Sequence, residues 1–206
     1  TDSSDGDISD GNNGKDDYWV VKLDNSGNKI WDKTLGGSGN DFANSIQQTS
    51  DGGYIIAGNT DSSDGDISDG NNGKDDYWVV KLDNSGNKIW DKTLGGSGQD
   101  YANSIQQTSD EGYIIAGYTN SSDGDISNGN NGYDDCWIVK LDNSGNKVWD
   151  KTFGDENHDN AEVIQQTFDG GYIIGGYTIS YGDLRVEYDN YLSYWIIKLD
   201  SLGNKV

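Results

Sequence analysis

The sequence predicts an all-β fold of tandem four-stranded antiparallel units, packed as β-propeller-like blades. Three observations lead there. The chain repeats itself with a period of 59 residues, so that 77–135 restates 18–76. Each period holds four short runs rich in β-branched and aromatic residues, cut by Gly, Asn and Asp clusters, which is the pattern of strands and turns. No segment sustains a 3.6-residue apolar period, so no helix is expected.

The array runs over 1–206 as a single body of repeats: 18–76, 77–135, 136–193 and the start of a fourth at 194–206. The string YWVVKLDNSGNKIWDKTLGGSG stands at Tyr18 and again at Tyr77. Between the first two copies only Asn40/Gln99, Phe42/Tyr101, Gly52/Glu111, Asn59/Tyr118, Asp61/Asn120, Asp69/Asn128 and Lys74/Tyr133 differ. The third copy has drifted further; Cys136 stands where Tyr18, Tyr77 and Tyr194 stand elsewhere, as a buried substitute for Tyr. Within the first unit, 18–23 alternates as a strand, and 24–28 is a turn whose Gly27 can take positive φ. A second strand follows at 29–35, then the Gly-rich connector 36–39. A third strand at 43–49, the tight turn at 51–53 and a fourth strand at 54–58 complete the unit.

Four strands in about 40–60 residues suit a propeller blade. A β-solenoid is the alternative, although its coils are shorter and seldom need two hairpin turns per repeat. Apolar residues on both sides of 54–57 suit a blade whose two faces meet neighbours. In that register 43–94 and 102–153 are whole blades, 1–35 is the outer half of one and 161–206 an incomplete one. Closure of a ring takes about four blades or more, so this stretch is expected to be a piece of something longer or to join other copies.

At 44–58, NSIQQTSDGGYIIAG, followed by Tyr77-Trp78-Val79-Val80-Lys81-Leu82-Asp83, the repeat resembles those of large secreted surface proteins of the Bacteroidetes type, and is similar to delta-60-type propeller repeats. The resemblance covers the whole chain. It implies an extracellular or cell-surface scaffold and no particular activity. The long, regular acidic loop departs from that pattern.

The charge is lopsided. There are 14 basic and 36 acidic residues, a formal net charge of −22, and all but four of the acids are Asp. Glu suits helices, whereas Asp and Asn suit turns and hard-cation sites. The acid therefore belongs to loops, and the balance excludes nucleic acid and anionic membranes as partners. No apolar run approaches the ~20 residues that span a bilayer. Seven Trp and 13 Tyr supply a packed core in place of aliphatics.

The candidate site is the acidic loop between the 54–58 and 77–82 strands of each unit. Calcium takes six to eight oxygens from carboxylates, amides and carbonyls. The candidate ligands are Asp5, Asp7, Asp10, Asp16 and Asp17 in the first copy, then Asp64, Asp66, Asp69, Asp75 and Asp76 in the second. The third offers Asp123, Asp125, Asn128, Asp134 and Asp135. Asp64 and Asp66 are expected to aim at one point around Gly65, with Ser68 and Asn71 as further ligands. The competing reading is a solvated polar loop. The fourth loop, 179–187, keeps Asp183 and introduces Arg185, so no metal is expected there.

Catalysis has little support, and the chain is read as a non-enzyme. His158 is the lone His, and no Ser–His–Asp or Cys–His set recurs with the units. Trp19, Trp78, Trp137 and Trp195, with Trp31, Trp90 and Trp149, occupy fixed strand positions and read as core, against sugar stacking. The second function class is a glycan-binding propeller using Tyr118, Tyr133 and Tyr177, which vary between blades. The partners expected are other copies of the same repeat or the rest of a longer chain, with surface glycans as the second class.

Overall fold

A computed structural model describes residues 6–181 and 190–206. They contain strands and turns and no helix. The strands are β1 (Tyr18–Leu23), β2 (Lys29–Leu35), β3 (Asp41–Gln48), β4 (Tyr54–Thr60), β5 (Asp76–Leu82), β6 (Lys88–Leu94) and β7 (Asp100–Gln107), then β8 (Tyr113–Thr119), β9 (Asp135–Leu141), β10 (Lys147–Phe153), β11 (His158–Gln166), β12 (Tyr172–Tyr181) and β13 (Asn190–Leu199). They form antiparallel meanders: β1–β2, then β3 to β6, β7 to β10, and β11 to β13. The two middle sheets have four strands each and match the 43–94 and 102–153 units.

The third strand of each unit begins earlier than the β-rich run suggests, at Asp41 and Asp100. A register shift between Ala43 and Ser45, repeated between Ala102 and Ser104, marks a bulge there. The extra residue is used: Asn44 Nδ2 donates to Ala102 O at 2.9 Å, reaching the next sheet. The first strands of consecutive sheets are tied again by Gln107 N donating to Gln47 Oε1 at 2.6 Å, and Gln166 N to Gln106 Oε1 at 2.6 Å.

Alternation along each strand feeds two cores, one on each face of a middle sheet. Ile55, Ala57, Tyr77 and Val79 of one sheet pack on Ile115, Trp137, Val139 and Leu141 of the next. Tyr18, Val20 and Leu35 pack on Ile56, Trp78, Val80 and Leu82 in the same way. The Tyr77 ring lies 4.5 Å from that of Trp137, and its hydroxyl donates to Trp137 O at 3.0 Å; Tyr18 does the same to Trp78. Trp78 and Trp137 are wholly buried. Trp31, Trp90 and Trp149 are half-buried and meet Tyr54, Tyr113 and Tyr172 of the following sheet edge-on. Cys136 is buried, as expected for a Tyr substitute. The faces that would continue the series are open among the described residues: Trp19 is 41% exposed, Tyr194 86% and Ile196 74%.

Candidate functional site

The acidic loop does not stand out into solvent. Residues 61–67 fold back over the connector 36–40, which joins β2 of one sheet to β3 of the next. Asp61 N donates to Asn40 O at 3.0 Å and Asp66 N to Gly36 O at 2.9 Å. Asp64 Oδ1 accepts from Ser38 N at 2.7 Å, and Asp66 Oδ2 from Gly36 N at 3.3 Å. The tail of the preceding loop holds the connector from its other side, with Lys15 N donating to Gly39 O and Asp41 N to Asp16 O. One repeat later, Asp123 and Asp125 take Ser97 N and Gly95 N in the same manner.

The candidate ligands have protein partners of their own in this structure. Asp64 and Asp66 each turn one carboxylate oxygen to an amide of the connector. Ser68 donates its N and Oγ to Asp91, at 2.8 and 2.6 Å. Asn71 Nδ2 bonds Thr60 O and Lys74 O. Asp69 pairs with Lys92 at 2.8 Å and Asp10 with Lys33 at 3.2 Å. Asp75 accepts from Tyr101 and Gln99, and Asp134 contacts His158 Nδ1. Asp7 meets Lys29 through its carbonyl. Asn128 sits where Asp69 does and brings no carboxylate. Asp5, and the fourth-loop residues Asp183 and Arg185, lie outside the described residues. Among the described residues no three His, Cys, Asp or Glu side chains gather as a metal-binding group.

Asp17, Asp76 and Asp135 behave differently. Asp76 heads β5 and is wholly buried. Its Oδ2 accepts from Asn72 N at 2.7 Å, while its Oδ1 is buried and accepts no hydrogen bond. Asp135 repeats this arrangement with Asn131 N at 2.9 Å. Asp17 takes Asn13 N at 2.6 Å. Opposite Asp76 stands Asp100, which heads β7 of the next sheet and is also wholly buried. Thr119 donates to its Oδ1, while Gly96 N at 2.9 Å and Ser121 Oγ at 3.0 Å donate to its Oδ2. Asp41 is held identically by Thr60, Gly37 and Ser62.

The two carboxylates close on one glycine. A Cβ on Gly95 would lie 2.3 Å from Asp76 Oδ1 and 2.6 Å from Asp100 Oδ2. Gly36 stands in the same relation to Asp17 and Asp41, and Gly154 to Asp135 and Asp159. Burial pushes the Asp76 carboxyl up to about 7; the Asn72 amide opposes this, and the charges of Asp100, Asp125 and Asp75 add to it. Burial raises Asp100 and Asp135 as well. Two acceptor oxygens facing each other in a dry place need either a proton between them or a cation.

Asp41, Asp100 and Asp159 are candidate-site residues that the loop reading missed. A signal was present: each stands five residues after the first connector glycine, Gly36, Gly95 or Gly154, on a residue type that strands disfavour.

The aromatic candidates gather elsewhere. Tyr118, Asp134, His158 and Tyr177 line a recess of about 300 Å³. Tyr118 stacks on Tyr101 at 5.1 Å, and Tyr133 on His158 at 4.9 Å. Compared with models of known protein families and with curated proteins, the chain matches none.

Proposed function

We propose that this chain is an extracellular structural or adhesive repeat module, built of propeller-like blades, whose acidic loops bind calcium and so stiffen the array. The observation that carries the reading is the use made of the repeated residues. What recurs between units goes into joining one sheet to the next: the Tyr–Trp contacts of the first two units, the Gln–amide links and the loop-on-connector bonds. A module selected for joining units is a scaffold. The resemblance to secreted surface repeats supports the location. Further units of the same repeat, from other copies or from the rest of a longer chain, are the partners proposed for the open faces at Trp19 and at Tyr194 and Ile196.

Calcium follows from the excess of Asp in ordered loops and from their buried, underpartnered carboxylates. A site that binds calcium only when folded adds ~2.7 kcal/mol at a hundredfold excess over its dissociation constant. The melting temperature should therefore rise with millimolar calcium and fall on chelation. A melt indifferent to both, at low salt, overturns the calcium part of the reading and leaves the scaffold part standing.

A second reading is a glycan-binding propeller, favoured by the recess that brings Tyr118 and Tyr177 together with His158 and Asp134. A glycan array separates the two. Saccharide binding that is lost in Tyr118→Ala and Tyr133→Ala supports the lectin; an empty array supports the scaffold.

A further inference from the structure

We propose that Asp76 and Asp100 are protein ligands of a calcium ion that clamps one sheet to the next, at a site recurring between consecutive units. The proposal rests on the calcium reading above and deepens it: it moves the ion from the acidic loop itself to the seam where loop, connector and two sheets meet.

The argument begins with an unmet need. Asp76 is wholly buried, yet its Oδ1 has no hydrogen-bond donor. Asn72 N has been taken by Oδ2. The oxygen that Oδ1 faces, Asp100 Oδ2, is an acceptor, and the Gly95 amide between them points to Asp125 Oδ2 at 3.3 Å. Two buried carboxylates, Asp76 and Asp100, therefore meet at one connector glycine, while the Lys147 ammonium is drawn off to Asp125 Oδ1 at 3.8 Å. Burial of unpaired negative charge is among the costliest things a fold can do. A divalent cation answers it, and all-oxygen ligation by carboxylates is the chemistry of calcium. Mg²⁺ demands a near-ideal octahedron and keeps more of its water, which suits a preformed, irregular carboxylate seam less well.

The place is built rather than accidental. Asp100 is fixed from three directions by Thr119, Gly96 and Ser121. The connector position opposite is Gly in each unit, and any side chain on it would fill the space between the carboxylates. The arrangement recurs as Asp135 with Asp159 at Gly154, where Asp135 Oδ1 is again buried without a hydrogen bond. Because Asp76 belongs to one sheet and Asp100 to the next, an ion held by both resists their separation. That gives a scaffold whose stiffness depends on external calcium.

Calorimetric titration of the full chain with calcium tests this, using wild type, Asp76→Asn, Asp100→Asn and Asp69→Asn. The last removes an exposed loop carboxylate that the proposal leaves out. The expected result is a stoichiometry lowered by one in either of the first two variants and unchanged in Asp69→Asn. Calcium binding that keeps its full stoichiometry in both Asp76→Asn and Asp100→Asn overturns the clamp while the calcium reading survives. A wild-type chain that binds no calcium overturns both. Should a variant fail to fold, wild-type crystals soaked in terbium decide: an anomalous peak between Asp76 Oδ1 and Asp100 Oδ2 is expected, and terbium held only elsewhere overturns the assignment. A buried pair that shares a proton and excludes the ion would give that second result.

Discussion

Asp91 and Asp76 lie on neighbouring strands of one sheet, both out of reach of solvent, and are in opposite electrostatic condition. Burial pushes Asp91 up, but the Ser68 hydroxyl and amide, the Lys88 ammonium and the Trp78 indole outweigh it and hold the carboxyl below its ordinary range. Asp76 has a single amide, and burial with neighbouring carboxylates carries it up to about 7. The contrast teaches that donor supply, not depth, decides whether a buried aspartate strengthens this fold or strains it. The same opposition recurs between Asp150 and Asp135. Within each unit one aspartate secures the loop to its own sheet, and the other is left awaiting a partner.

The largest effect should come from breaking the well-supplied side at its core. Trp78 is wholly buried, lies 4.5 Å from the Tyr18 ring and donates to Asp91 at 3.2 Å. Trp78→Ala should cost ~3–5 kcal/mol in denaturant unfolding, from cavity and lost transfer energy together. Trp90, half-buried at the sheet edge, should cost visibly less. Equal losses at the two positions would mean that the seam is held by something other than the buried indole.

Removing the carboxylate itself comes next. Asp91→Ala leaves the buried Trp78 indole N–H without its acceptor, while the exposed Ser68 can turn to water and Lys88 keeps Asp66 O; a buried donor stranded in this way costs ~1–3 kcal/mol. A destabilisation of roughly 1–3 kcal/mol is expected in the same unfolding measurement. Asp76→Asn should act in the opposite sense when calcium is chelated, because it removes a strained charge.

The pH dependence sharpens that difference. With its folded value raised to about 7, Asp76 keeps its proton in the native state over a range where the unfolded chain has released it. Stability in chelator should therefore fall as pH rises from about 4 to about 7 and level off above, by at most ~4 kcal/mol for this group. Asp91, with its value lowered, contributes stability that is present above the ordinary carboxylate range and lost as pH falls through its folded value. Calcium should flatten the first slope and leave the second alone. Asp76→Asn should shrink the fall between pH 4 and 7; a slope identical to wild type would show that Asp76 is not the strained group.

Much of the fold was legible because turns recur where strands must end. The 18–23 and 29–35 strands stand as read, and the meander of four follows from turn chemistry alone. The site was less legible for a physical reason. The Gly-rich connector reads as a passive spacer, yet its amides bind Asp64 and Asp66 from 26 and 30 residues away. Hydrogen bonds of that span leave no local pattern in a sequence. Asp100 escaped because it lies outside the loop in which the carboxylates are crowded, and Asp91 because a strand aspartate between Trp and Lys reads as exposed. Asp69, by contrast, is prominent in the sequence and minor in the structure.

The smallest effect completes the comparison with a carboxylate that is neither buried nor strained. Asp69 is in the same loop as Asp66, is largely open to solvent, and meets Lys92 at 2.8 Å on the surface. Exposed pairs of this kind are worth ~0–1 kcal/mol, since water solvates both partners and each long side chain loses freedom on pairing. The next repeat has Asn128 at the same place, so one unit already carries the substitution. Asp69→Asn should shift unfolding by less than about 1 kcal/mol, and added salt should erase even that by screening. Its calcium response should equal that of wild type. A large loss of stability or of calcium binding in Asp69→Asn would relocate the charge that matters from the buried seam to the surface of the loop, and would overturn the distinction drawn between Asp91 and Asp76.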